Sequence, residues 1–179
     1  MSVNSICWDC ENAIPPNVFI CQKCNKIQPP KQVDEFKLMG ISETFDLNLD
    51  ELEKAYLKLQ QVFHPDKYSQ LSDQEIKYST LLSSMINEAY QKLNSSISRA
   101  TILLKLNGFN PHSEDKSFND PDVLEEIMDI QNEFLEAESS EQKKLSIQKL
   151  NLKISETMEN LSISFKKKEY AIANKLIVK

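Results

Sequence analysis

Two groups of residues in this chain have types and spacings suited to chemistry. The first is a cysteine quartet, Cys7-x-x-Cys10 and Cys21-x-x-Cys24, which takes in all four cysteines of the 179-residue sequence. Each Cys-x-x-Cys pair brings two sulfurs onto one tight knuckle, and two knuckles supply the four thiolates of a tetrahedral site. Four protein ligands leave no open coordination position, so the spacing points to a structural zinc ion rather than a catalytic one. Iron, a pair of disulfides and free thiols are the alternatives. Disulfides need an oxidising compartment, and a thioredoxin-like role needs a strand–helix context that neither pair has. A segment of about thirty residues buries too little surface to fold alone, so metal binding would supply its folding free energy. Asn12 and Asn25 follow the paired cysteines and suit the left-handed backbone of such knuckles. Ile14–Asn17 reads as a turn, Val18–Ile20 as a short strand and Trp8 as a packing residue.

The second group is His64-Pro65-Asp66-Lys67. Pro65 has no backbone N–H and pushes the residue before it out of helical geometry, so a helix should stop near His64. That leaves a histidine and a carboxylate on a turn, where a partner can reach them. The flanks give the tetrapeptide its context. From Asn48 to Phe63 the apolar residues Leu49, Leu52, Ala55, Tyr56, Leu59, Val62 and Phe63 recur at three- and four-residue steps, as on one buried helix face. Asn48 or Asp50 caps this helix, and Lys54, Lys58, Gln60 and Gln61 lie on its opposite face. A second helix is predicted from Asp73, as its cap, to Asn94. Its apolar set is Tyr78, Leu81, Leu82, Met85, Ile86, Ala89, Tyr90 and Leu93. Two such helices joined by about ten residues make an antiparallel pair with the tetrapeptide at one end.

The run from Leu52 to Lys67 (LEKAYLKLQQVFHPDK), followed by Ile86-Asn87-Glu88-Ala89-Tyr90, resembles a J-domain of the DnaJ class. Asp34–Gly40 (DEFKLMG) is similar to the short first helix of that domain. Ser98–Phe109 (SRATILLKLNGF) resembles the junction found in one subfamily, the HscB/Jac-type co-chaperones of iron–sulfur cluster biogenesis. The resemblance runs from Cys7 to the C-terminus, and the Cys-Trp-x-Cys opening resembles the eukaryotic form that carries a tetracysteine module. It implies an all-α fold: a J-domain helical hairpin over residues 32–96 and a C-terminal three-helix bundle over 97–179. Before these comes a small zinc-knuckle module over residues 1–31.

Within the C-terminal part, Pro111–Asn119 is polar and loop-like, and Asp120-Pro121 suits a helix start. Val123, Ile127, Ile130 and Phe134 form a predicted buried stripe, with Leu124, Met128 and Leu135 beside it. Ser139-Ser140 interrupts the pattern, and a last helix runs on from about Glu141, with a break expected around Phe165–Lys168. A helix over Ile97–Leu106 completes the bundle.

The resemblance also implies roles. His64, Pro65 and Asp66 would stimulate ATP hydrolysis by a 70-kDa heat-shock ATPase, with Lys54, Lys58 and Lys67 complementing an acidic surface on it. Leu124 and Met128 would bind the scaffold protein on which clusters are assembled, and a third, aromatic position of that patch falls just past Lys179. A J-protein serving another client is the alternative, and a homodimer is a further candidate association. The implied compartment is the mitochondrial matrix, with the cytoplasm as alternative. Met1–Ile6 is too short for a cleavable leader, leaving synthesis in place, a removed leader or an internal signal as the routes.

Composition narrows the function classes. The net charge is −6, and Arg99 is the single arginine, which argues against a zinc-knuckle nucleic-acid binder or an anionic-membrane binder. No apolar run is long enough to span a bilayer. The two histidines, His64 and His112, fall on separate predicted loops with no nucleophile–base pair, so no enzymatic chemistry is expected.

Overall fold

Local capping rules set most of the helix boundaries in this chain. The computed structural model describes residues 5–111 and 121–178, so His112 and the predicted cap Asp120 lie outside the described residues. The fold is mostly α-helical, as expected, and divides into two compact units. Unit 1 holds residues 1–43 and 47–98; unit 2 holds 44–46 and 99–179.

In unit 1, strands β1 (Ser5–Ile6) and β2 (Ala13–Ile14) pair antiparallel, Ser5 opposite Ile14 and Ile6 opposite Ala13. The strand predicted at Val18–Ile20 shrinks to one bridge between Ile20 and Ile27. Backbone bonds there close a knuckle instead of extending a ladder. Helix α1 (Glu35–Met39) is capped by the Asp34 carboxylate, which accepts the Lys37 N–H. It ends at Gly40, whose φ of 67° lets the chain turn back without the steric cost of a Cβ.

Helix α2 (Leu49–Phe63) starts at Asn48, which accepts the N–H groups of Asp50 and Glu51, and stops at His64 in extended backbone, as Pro65 requires. A 3₁₀ turn (Pro65–Tyr68) leads to helix α3 (Asp73–Asn94). Ser72, not Asp73, caps α3. Its hydroxyl accepts the Glu75 N–H while the Glu75 carboxylate reaches back to the Ser72 N–H. The Ser-x-x-Glu spacing makes that reciprocal box and moves Asp73 into the first helical turn.

Phe36, Leu52, Phe63, Leu82, Ile86 and Leu93 from α1, α2 and α3 are buried. Tyr56 stacks on Tyr90 at 4.4 Å between ring centroids. Leu49, Val62 and Leu81, predicted on the buried faces, are exposed at the edges of this hairpin.

Unit 2 takes helix α4 (Ser96–Leu106) from Arg99 onward, then helices α5 (Pro121–Glu136), α6 (Ser140–Lys166) and α7 (Tyr170–Val178). Ser139 caps α6 through a second reciprocal box with Gln142. The expected break falls at residues 167–169. Lys168 turns left-handed at φ 59°, and the Glu169 N–H bonds back to the Ser164 carbonyl at 2.8 Å. Buried Arg99 donates from Nε to the Phe45 carbonyl at 2.8 Å, and Phe45 stacks on Phe165 at 5.1 Å. Asp46 receives the Ser162 hydroxyl at 2.7 Å and the Lys166 ammonium at 2.8 Å.

Of the stripe predicted as buried on α5, the side chain of Val123 lies outside the described residues; among the rest Ile127 and Phe134 are exposed and Ile130 is partly covered. Helix α5 packs against α6, fastened by Lys149–Glu133 and Lys153–Glu126 ion pairs of 2.7 Å. Packing against α6 covers one strip of α5 and leaves Leu124, Ile127, Met128, Phe134 and Leu135 outward.

Candidate functional sites

The cysteine quartet folds as two copies of one knuckle. In the first, the Cys7 N–H bonds to the Asn12 carbonyl at 2.9 Å and the Glu11 N–H to the Cys7 carbonyl at 3.1 Å. In the second, the Cys21 N–H bonds to the Lys26 carbonyl and the Asn25 N–H to the Cys21 carbonyl, both at 2.9 Å. The left-handed residues are Glu11 (φ 57°) and Asn25 (φ 58°). Each directly follows the second cysteine of its pair, so the reading of Asn12 is one residue late. That residue must turn the chain at once if its own N–H is to close on the first cysteine.

The four Sγ atoms lie within 4.8 Å of one another, with Cys7–Cys24 and Cys10–Cys21 each at 3.6 Å. A disulfide sets its sulfurs about 2.05 Å apart. Four thiolates at about 2.3 Å from one ion lie about 3.8 Å apart along a tetrahedral edge. The observed spacing therefore fits a metal ion and not two disulfides.

The thiols are coupled. Burial opposes ionisation of Cys7, but the N–H groups of Cys10 and Asp9 and the Cys24 thiol outweigh it and bring Cys7 down to about 6. At Cys24 the Lys26 N–H favours the thiolate, yet burial and the three neighbouring sulfurs push it up to about 12. The first negative charge forms readily and the last is resisted by its neighbours, a repulsion that a central cation removes. Buried Gln28 donates from Nε2 to Cys7 Sγ at 3.3 Å and to the Lys26 carbonyl at 2.8 Å, bracing the site from outside. Trp8 is a packing residue. Its indole N–H donates to the Ile27 carbonyl at 2.7 Å, and its ring meets the edge of Tyr78 at 6.2 Å.

The second site is the turn between α2 and α3. His64 Nδ1 accepts the Asp66 N–H at 3.4 Å, and the Ser69 hydroxyl donates to the Asp66 carbonyl at 2.8 Å. The Tyr68 hydroxyl donates to the Val62 carbonyl at 3.2 Å, tying the turn back to the last turn of α2. These bonds occupy the backbone and leave the Asp66 carboxylate outward, its side chain 91% exposed. Pro65 is half-buried at the base of the turn. Lys54 and Lys58 project from α2 and Lys67 from the turn. Among the described residues none of the three has a carboxylate within ion-pair reach. The structure thus brings His64, Pro65, Asp66 and Lys67 onto one turn, with Lys54 and Lys58 on the helix that leads into it.

Sequence reasoning missed the residue that anchors the far side of this turn. Glu75, buried, takes three donors on one oxygen: Lys26 Nζ at 2.9 Å, the Ser72 hydroxyl at 2.7 Å and the Ser72 N–H at 3.3 Å. Burial acts to raise its carboxyl, but Lys26 and the Ser72 donors hold it below the usual carboxylate range. The Ser-x-x-Glu signal was available in the sequence; the 49-residue separation from Lys26 concealed the rest.

Leu124 and Met128 sit one turn apart on α5, 40% and 52% exposed. They are surface residues, not core.

The chain is 31% identical over 183 residues to the mouse iron-sulfur cluster co-chaperone protein HscB, across 99% of this chain and 78% of that protein. It is 32% identical over 177 residues to the human protein of the same name, across 97% of this chain and 75% of that one. The crystal structure of human co-chaperone protein HscB matches with a TM-score of 0.90 at 31% identity, covering 97% of this chain and 90% of that chain. No protein-family model matches the chain.

Proposed function

Because the chain belongs to the HscB family of iron–sulfur cluster co-chaperones, we propose that it recruits a 70-kDa heat-shock ATPase, stimulates its ATP hydrolysis and delivers the cluster scaffold protein to it. The observation that carries this reading is the exposed His64–Pro65–Asp66 turn, whose His64 and Asp66 N–H groups are bonded within the chain while its carboxylate points outward. His64, Pro65 and Asp66 make the stimulatory contact. Lys54, Lys58 and Lys67 steer an acidic ATPase surface onto it, which makes encounter salt-sensitive. Leu124 and Met128 hold the scaffold; their exposure supports a contact surface over a packing role.

The cysteine site takes zinc, through Cys7, Cys10, Cys21 and Cys24. A closed set of four thiolates supplies fold stability and no catalysis. The chain itself performs no reaction. Its work is divided among the metal module of residues 1–31, the J-domain of 32–96 and the bundle of 97–179, in the mitochondrial matrix.

His64→Gln tests the reading. The side chain is half exposed and its one cap bond is long, so stability changes by less than about 0.5 kcal/mol. Stimulation of the heat-shock ATPase in a steady-state turnover assay is lost. Stimulation at the wild-type level would overturn the assignment.

A further inference from the structure

Among the described residues, two ring contacts and one ion pair join the cysteine module to the rest of unit 1, and they cluster about the ends of the 64–72 turn. On its α2 side, buried Phe19 meets buried Phe63, the residue before His64, edge to face at 6.2 Å. On its α3 side, Lys26 binds buried Glu75 at 2.9 Å, and that same Glu75 oxygen holds both Ser72 donors at the cap where the turn ends. One turn further along α3, Trp8 meets Tyr78. Phe19 lies between the two cysteine pairs, and Lys26 lies just beyond the second. The Lys26 backbone carbonyl also accepts the Cys21 N–H and Gln28 Nε2. The two contacts nearest the turn thus come from backbone that the cysteine knuckles shape.

We propose that Phe19 and Lys26 are positioning residues for the His64–Asp66 turn, holding both helix ends that frame it in the geometry a partner ATPase meets. A hairpin joined by nine residues would otherwise let its two ends separate and its turn exchange among conformers. The module removes that freedom before binding, which lowers the ordering cost at encounter. The functional half of this inference rests on the J-domain reading; the structural half does not.

The test uses the full, zinc-loaded chain and compares Lys26→Met with Lys26→Arg, which restores the charge, and with Phe19→Leu. Amide hydrogen exchange is read at Lys67, Ser69 and Leu71, whose N–H groups bond to the His64, Asp66 and Tyr68 carbonyls. In Lys26→Met these amides exchange about tenfold faster, the part of the lost charge-assisted bond that is felt at the turn. Phe19→Leu moves them in the same direction, Lys26→Arg restores them, and α6 amides and the zinc content of one ion per chain stay unchanged. The concentration for half-maximal ATPase stimulation rises about tenfold in Lys26→Met while maximal stimulation is kept. Unchanged turn exchange in both Lys26→Met and Phe19→Leu overturns the proposal. If the wild-type chain stimulates no heat-shock ATPase, the J-domain reading fails, and the exchange measurement still decides whether the module positions the turn.

Discussion

The Lys26–Glu75 pair offers a quantitative check on how the cysteine module is fastened. Its carboxylate end is 4% exposed and its ammonium end 34%. Removing one partner from a fully buried pair costs about 3–5 kcal/mol, and from a surface pair under about 1 kcal/mol. With one end buried and the other in partial contact with water, Lys26→Met should cost about 2 kcal/mol. Glu75→Gln keeps an acceptor for Ser72 but loses the charge, at a similar cost of about 2 kcal/mol. The double variant has no orphaned charge and should lose about 2.5 kcal/mol, leaving a coupling energy of about 1.5 kcal/mol.

Urea unfolding of the zinc-loaded chain measures all four states. Trp8, the one tryptophan, reports selectively on unit 1 because it sits in the first knuckle against Tyr78. A pH arm sharpens the test. The folded Glu75 carboxyl lies below its unfolded value of about 4.3, so the stability it adds is complete above that value and is lost as pH falls through the folded one. The gap between wild type and Glu75→Gln therefore narrows below about pH 4. A coupling energy under about 0.3 kcal/mol, or an acid limb unaltered in Glu75→Gln, would refute the reasoning.

Three further outcomes are expected. Leu124→Ser combined with Met128→Ser changes unfolding free energy by no more than about 1 kcal/mol, because both residues are exposed, and weakens scaffold binding at least about tenfold by calorimetry. Arg99→Met destabilises unit 2 by about 2 kcal/mol in thermal unfolding, because it strands the Phe45 carbonyl and strips the cation from the Phe45 ring at 5.5 Å. Chelating the metal shifts Trp8 emission to the red while most of the helical circular dichroism persists, and metal affinity rises with pH because protonated thiols must release their protons to bind.

Most of the helical framework was legible in the sequence because its causes act within four residues. The stop at Pro65, the Asn48 cap and the periodic faces of α2 and α3 are short-range effects, and each falls where the residues indicate. The paired cysteines likewise announce a metal site through spacing alone. The near misses, Asp73 for Ser72 and Asn12 for Glu11, are one-residue errors in which side-chain preference was read ahead of backbone bond closure.

Other features depended on which surfaces meet. The periodicity of α5 shows an apolar stripe but not how many neighbours cover it, and with α6 as its partner the stripe stays open. No local rule links Phe45 to Arg99, Phe19 to Phe63 or Lys26 to Glu75, residues 54, 44 and 49 positions apart. Local residue patterns carried the helices and the paired-cysteine knuckles. The placement of the cysteine module against both ends of the His64–Asp66 turn is a matter of tertiary packing, because such pairings form where packing aligns distant side chains.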